Sequence, residues 1–259
     1  MKKENKMKKT VLKDAYEELL NAVCKVKTKI VAQMFVVGEK YAESEKRLLV
    51  IGRALNGWGA FKDELSVDNL IDHWEKVDDG KIEYDRYSDK THINKITEEE
   101  RKGLEWVKSY LKESKEKTAK SSKFWELTRK VTHHVLGVDG ENWTKYIAWT
   151  NLYKVAPIAG RNPSDSLCKK QLDSCIKILK EELELLKPTH VLVIAKKWDH
   201  KEYKKDSEDV WTKDFCQVID AYRRNNEVKV VFVGRPEIRN GDAREKIKNV
   251  LIENEFLPS

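Results

Sequence analysis

Residues 146 to 195, YIAWTNLYKVAPIAGRNPSDSLCKKQLDSCIKILKEELELLKPTHVLVIA, constrain the fold more than any other stretch of the chain. They open with a nearly unbroken apolar run, pass through a proline-flanked loop and reach Ser164 and Asp165. Side-chain oxygens of that kind satisfy the free N–H groups at a helix start. Leucine or isoleucine then recurs at 167, 172, 176, 179, 183 and 186, close to the period of one helix face, until Lys187-Pro188 stops the helix. A second apolar run, THVLVIA, occupies 189 to 195. Runs that do not alternate with polar residues suit strands covered on both faces, as in a parallel sheet. Strand, capped helix and strand therefore predict a right-handed crossover unit.

RLLVIG (47 to 52) and VKVVFVG (228 to 234) are runs of the same kind and bring the expected strands to four. The fold class predicted is α/β, a three-layer α/β/α arrangement around a central four-stranded parallel sheet. The 259 residues read as a single domain over 10 to 259, behind a flexible basic tail at 1 to 9 that carries five lysines. A helical pattern is expected over 10 to 40, with Leu12, Tyr16, Leu19, Val23, Val26 and Ile30 near helical spacing as an outer packing face. Residues 57 to 145 separate the first two strands by more than a crossover needs, which predicts a helical insertion at about 60 to 145. Within it, TEEERKGLEWVKSYLKE and SSKFWELTRKVTHHVLG read as helices capped by Thr97 and by Ser121 or Ser122. His133 and His134 lie on the second of these and are given no functional role.

Composition narrows the function classes. With 40% hydrophobic and 37% charged residues, the chain can bury a core beneath a charged surface. No run approaches the apolar length of a membrane span, and no apolar segment follows the basic tail, so a cytoplasmic protein with no membrane partner is expected. A net charge of +7 favours polyanionic partners, because lysine and arginine displace counterions from phosphates. Cys24, Cys168, Cys175 and Cys216 form no CxxC pair and have no histidine at zinc-finger spacing, so neither a metal site nor a disulfide framework is expected. Cys168 and Cys175, two helical turns apart, read as small buried thiols.

Ligands of open parallel sheets bind beyond the carboxyl ends of the strands. Three such ends are polar here: GRALNGWGAF (52 to 61), TNLYKVAPIAGRNP (150 to 163) and GRPEIRNG (234 to 241). The third strand ends in AKKWDH, from which Lys196 either joins the rim or stays solvated. Gly52 and the glycines after it permit close approach to a ligand, although their spacing is not a dinucleotide fingerprint. Asn56, Trp58 and Phe61 offer an amide and two aromatic faces for reading and stacking on a flat heterocycle, or else pack against the core. Asn151 near the end of a buried strand needs partners. It either reads the edge of a bound base or ties down a neighbouring loop.

The stretch 146 to 195 resembles the central strand, loop, helix and strand of the uracil-DNA glycosylase superfamily, with the pattern TN-x-x-K-x-x-P, then N/R-x-P, then a cysteine-bearing helix ending in KP. The likeness is greatest to the iron-sulfur-type branch. LLVIGRALNGWG is similar to the family's first motif and VVFVGRPE to its last, so the resemblance spans roughly 47 to 256. It implies that Asn151 pairs with an extruded uracil and that the loop after Gly52 holds the hydrolytic water. It also implies that Gly234 to Ile238 enter the DNA groove. This chain departs from the pattern at Arg53, where relatives carry an acidic or amide residue, and at Arg235, where they carry histidine. Val155 replaces one cluster cysteine and the N-terminal pair is absent, so no iron-sulfur cluster and no other cofactor is expected.

The function that follows is a DNA glycosylase for uracil or a related damaged base, acting on single- or double-stranded DNA as a monomer. The catalytic set would be Asn56, Arg53 and Arg235. Asn56 would orient water, with Asp63 or Glu64 as possible helpers, and Arg235 would hold the base anion, since a guanidinium donates hydrogen bonds without needing to transfer a proton. The base-binding set is Asn151, Trp58, Phe61 and Gly52, and the DNA-binding set is Lys154, Arg161, Ile238 and Arg239. The alternative is a catalytically impaired relative that binds nucleic acid or a nucleobase ligand without excision. A third reading is a small-molecule enzyme or partner-binding protein that shares only the architecture.

Overall fold

The computed structural model describes residues 2–26, 30–55, 66–78, 104, 107, 122–138, 140–157, 162–195, 210–234, 236 and 241–258. In chain order the elements are α1 (Lys2–Val23), β1 (Ile30–Ala32), β2 (Val36–Val37), β3 (Leu48–Ala54), α2 (Val67–Asp78) and α3 (Lys123–Leu136). A 3-10 stretch, Glu141–Tyr146, leads into β4 (Ile147–Tyr153) and β5 (Val155–Pro157). Then come α4 (Asp165–Leu186), β6 (His190–Ile194), α5 (Val210–Asn226), β7 (Lys229–Val233) and α6 (Gly241–Glu253). Among the described residues no helix is long and apolar enough to cross a membrane.

All four expected strands form within two residues of their predicted bounds, and they run parallel in the order β4-β3-β6-β7. The sheet nevertheless has five strands, because β2 adds an antiparallel edge to β4 through Val36↔Trp149 and Val37↔Ala148. Side chains alternate between two cores. Leu49, Ile51, Val191 and Val193 join α1, α2, α4 and α5 on one face, whereas Leu48, Val50, Leu192 and Ile194 join α3 and α6 on the other. Both faces are covered, which is why the strands lack polar alternation. Each fully buried Leu, Ile or Val contributes roughly 1.5–3 kcal/mol.

The helix expected over 10 to 40 ends at Val23. Its phase appeared to continue through Val26 and Ile30, but IVAQMFVV is rich in β-branched residues, and these take strand partners instead of a helix face. β1 pairs with β5 through Ile30↔Pro157, Val31↔Ala156 and Ala32↔Val155. At the other end, α1 begins at Lys2, so its first turns take in the basic stretch expected as a flexible tail.

Two helices carry the predicted caps. Ser122, one of the two candidates, accepts from the Trp125 N–H at the start of α3, and Ser164 accepts from the Leu167 N–H at the start of α4. Helix α4 also reaches into β5. The Gln171 carboxamide accepts from the Val155 N–H at 2.9 Å and donates to the Val155 carbonyl at 3.0 Å, standing in for a neighbouring strand. TEEERKGLEWVKSYLKE lies almost wholly outside the described residues, although Leu104 and Val107 are buried against the α3 face.

Candidate functional site

The order of the sheet reverses at β3, since the chain places β4 on one side of it and β6 on the other. The segment entering β4 comes over the face covered by α3, whereas the connection leaving β4 crosses by α4 on the opposite face. Ligands of open α/β sheets sit beyond the carboxyl ends of the strands at such a reversal. Two of those ends, β3 and β4, present Gly52 directly opposite Asn151 in the ladder.

Asn151 is 3% exposed and lies over Gly52. A Cβ placed at Gly52 would stand 2.4 Å from Asn151 Oδ1 and 3.5 Å from Phe124 Cε2, so glycine is what lets the amide and the α3 ring close on the end of β3. The Asn151 Nδ2 donates to Gln33 Oε1 at 3.3 Å. Gln33 sits between β1 and β2, is also 3% exposed, and is anchored by its backbone. Its N–H donates to the Lys154 carbonyl and its own carbonyl accepts from the Tyr16 hydroxyl. Its Nε2 has no hydrogen-bond partner among the described residues.

Gln33 and Phe124 are the members of this constellation that sequence reasoning missed. Gln33 left a trace, as the one polar residue in IVAQMFVV. Phe124 left almost none, because an aromatic in the first turn of a helix is ordinary. It meets Trp125 edge-on at 4.8 Å, and Trp125 in turn meets Trp149 of β4 at 5.2 Å, which fixes the start of α3 against the sheet.

Lys154, expected at a DNA interface, is instead a core residue. Its ammonium lies 2.7 Å from Glu182 Oε2 and 2.6 Å from Thr150 Oγ1, and the two charged side chains are 1% and 0% exposed. Thr150 also donates to Glu182 Oε2 at 2.9 Å. A buried ammonium needs a buried counter-ion, and α4 supplies one. Burial pushes the Glu182 carboxyl above its ordinary range, while Lys154, Thr150 and Tyr16 oppose the shift.

Arg53 follows Gly52 in β3 and turns toward the opposite, α4 side. There its charge opposes the rise that burial imposes on the Tyr153 phenol and on the Cys168 thiol, which is pushed up to about 11. Cys175, fully buried two turns on, is pushed up to about 12 by burial, so both helix cysteines are neutral thiols. The Asn151 amide faces Gly52 and Phe124. Of the remaining candidates, Asn56, Trp58, Phe61, Arg161, Arg235, Ile238, Arg239, Asp63, Glu64 and Lys196 lie outside the described residues.

A groove of about 450 Å³ runs between α3 and α6, with an apolar floor that includes Leu127, Ile247 and Leu251 and a rim that includes Lys130 and Lys248. Among the described residues of the expected rim motifs Pro236 reaches it, and neither Asn151 nor Gly52 lines it. No protein-family model matches this chain, and no curated protein matches it.

Proposed function

We propose that the chain is a DNA glycosylase-like protein that takes an extruded uracil or related damaged base into the crevice between β3 and β4 and hydrolyses its N-glycosidic bond. The observation that carries this reading is the Asn151 carboxamide, buried at the end of β4 over a glycine that admits it, at the reversal of strand order. An amide there matches the edge of a nucleobase, and Phe124 supplies an aromatic ring beside it. The net charge of +7 suits a phosphate-bearing substrate. The uracil-DNA glycosylase-like pattern of residues 146 to 195 supports the same reading, with Arg235 in the role of leaving-group stabiliser and Asn56 orienting water.

A second reading, base binding without excision, is favoured by the position of Arg53. It occupies the position where the family pattern places an acidic or amide residue, and its charge acts on Tyr153 and Cys168.

The test is to incubate the protein with single- and double-stranded oligonucleotides carrying one uracil, hypoxanthine or xanthine, then cleave abasic sites with alkali. Strand breaks that vanish in Asn151→Ala support excision. Base-dependent binding without breaks supports the second reading, and neither breaks nor base-dependent binding refutes both.

A further inference from the structure

We infer that Gln33 is the second half of the base reader, and that together with Asn151 it selects the lactam or imide edge of a nucleobase over an amino-bearing edge. This rests on the base-binding reading above and extends it to a residue outside the resembling segment. The carboxamides of Gln33 and Asn151 are joined by a single bond, Nδ2 to Oε1 at 3.3 Å. That bond couples the two amides, because turning either one over alone would set oxygen against oxygen or NH2 against NH2. Asn151 Oδ1 is then directed over Gly52, an acceptor at the end of β3. Gln33 Nε2, buried and without a hydrogen-bond partner among the described residues, is left as a donor.

A buried donor left unmatched costs stability, and such groups persist where a ligand or water completes them. Set against the ring nitrogen, Asn151 Oδ1 needs an N–H, and set against the exocyclic group next to it, Gln33 Nε2 needs a carbonyl. Uracil offers both at N3–H and its flanking carbonyls, and hypoxanthine at N1–H and O6. Cytosine and adenine present an unprotonated ring nitrogen next to an amino group, which would oppose acceptor to acceptor and donor to donor. Tying the Gln33 segment to the sheet explains the bond between the two amides but not the unmatched Nε2.

The experiment measures equilibrium binding, by fluorescence anisotropy, of single-stranded oligonucleotides that carry one uracil, one hypoxanthine or one cytosine in an otherwise identical sequence. It compares the wild type with Gln33→Glu, Gln33→Met and Asn151→Ala. Gln33→Glu keeps an acceptor for Asn151 Nδ2 while removing the donor, and Gln33→Met removes both. The wild type is expected to prefer uracil and hypoxanthine over cytosine by about tenfold, the value of one well-placed hydrogen bond. Both Gln33 variants should bring that ratio close to one, by weakening uracil and hypoxanthine binding and relieving the donor–donor clash with cytosine.

A preference that Asn151→Ala abolishes but both Gln33 variants retain overturns the role of Gln33 and leaves the base-binding reading standing. A preference for cytosine overturns the assigned orientation of the two amides. A wild type indifferent to the base overturns the base-binding reading itself, and this inference with it. Should a variant fail to fold, titrating ¹⁵N-labelled wild type with free uracil and with free cytosine decides the matter. The Gln33 side-chain amide resonances must move with uracil and not with cytosine, and any other response overturns the inference.

Discussion

Replacing Lys154 by methionine isolates the core ion pair. The change removes an ammonium held 2.7 Å from Glu182 Oε2 and 2.6 Å from Thr150 Oγ1, and it leaves a carboxylate that is 0% exposed without its counter-ion. Breaking a buried pair from one side costs about 3–5 kcal/mol, a large share of the roughly 5–15 kcal/mol that stabilises a folded domain. With a urea dependence near 3 kcal/mol per molar for a chain of this size, the unfolding midpoint should fall by about 1–1.7 M. Lys154→Met combined with Glu182→Leu should recover most of that loss, because two apolar groups of similar volume need no pairing. The pH dependence has a definite sign. A carboxyl whose folded value lies above its unfolded one is stabilising below the unfolded value, and that contribution is lost as pH rises toward the folded value. Glu182 is already raised by burial, and losing Lys154 raises it further, so the penalty of Lys154→Met should be smaller at pH 5 than at pH 8. Urea titrations at both pH values read all of this. A single variant within about 1 kcal/mol of wild type, or a double variant as weak as the sum of the singles, would refute the account.

Gly52→Ala should push the Asn151 amide off its bond to Gln33, since the new methyl would sit 2.4 Å from Oδ1. The expected loss is about 1–3 kcal/mol, or roughly 2–10 °C in Tm, together with any preference for a bound base. An unchanged melting curve and an unchanged Asn151 side-chain amide resonance would count against that packing. His190 is a separate pH probe. Burial, helped by Lys46 and Lys229 and opposed by Glu255, holds its pKa down to about 4. The folded value lies below the ordinary one near 6.5, so the ring's contribution is complete above that value and is lost as pH falls from 6.5 through 4. For a partly buried ring this amounts to about 1–2 kcal/mol after solvent screening. Thermal melts from pH 4 to 8 should show a shallower acid loss in His190→Gln, and identical slopes would remove His190 as the cause.

The parallel core was legible because both of its faces are covered. Runs such as LLVI and VLVI carry no polar alternation, and each is followed by a capped or amphipathic helix. The edges were not legible. Val36–Val37 is too short to leave a period, and Ile30–Ala32 happens to continue the spacing of α1, so only its pairing with residues 155 to 157 distinguishes strand from helix. At the candidate site the strand pattern put Gly52 and Asn151 near carboxyl ends, whereas their direct opposition depends on strand order and register, which no single apolar run encodes. Lys154 was misplaced for a physical reason. A lysine three residues beyond Asn151 reads as a surface cation unless the carboxylate awaiting it is known, and Glu182 lies 28 residues further on, one among several glutamates of α4.

The grip of Gln171 on Val155 has a consequence for how this chain meets others of its kind. A two-stranded ribbon normally offers its free margin as a template on which a foreign strand can dock. On β5 the outward-facing N–H and carbonyl of Val155 are already satisfied by one carboxamide from α4. An incoming strand would have to evict that side chain before pairing with Val155. The β5 margin is thus closed at Val155 by a residue whose own helix belongs to the main core.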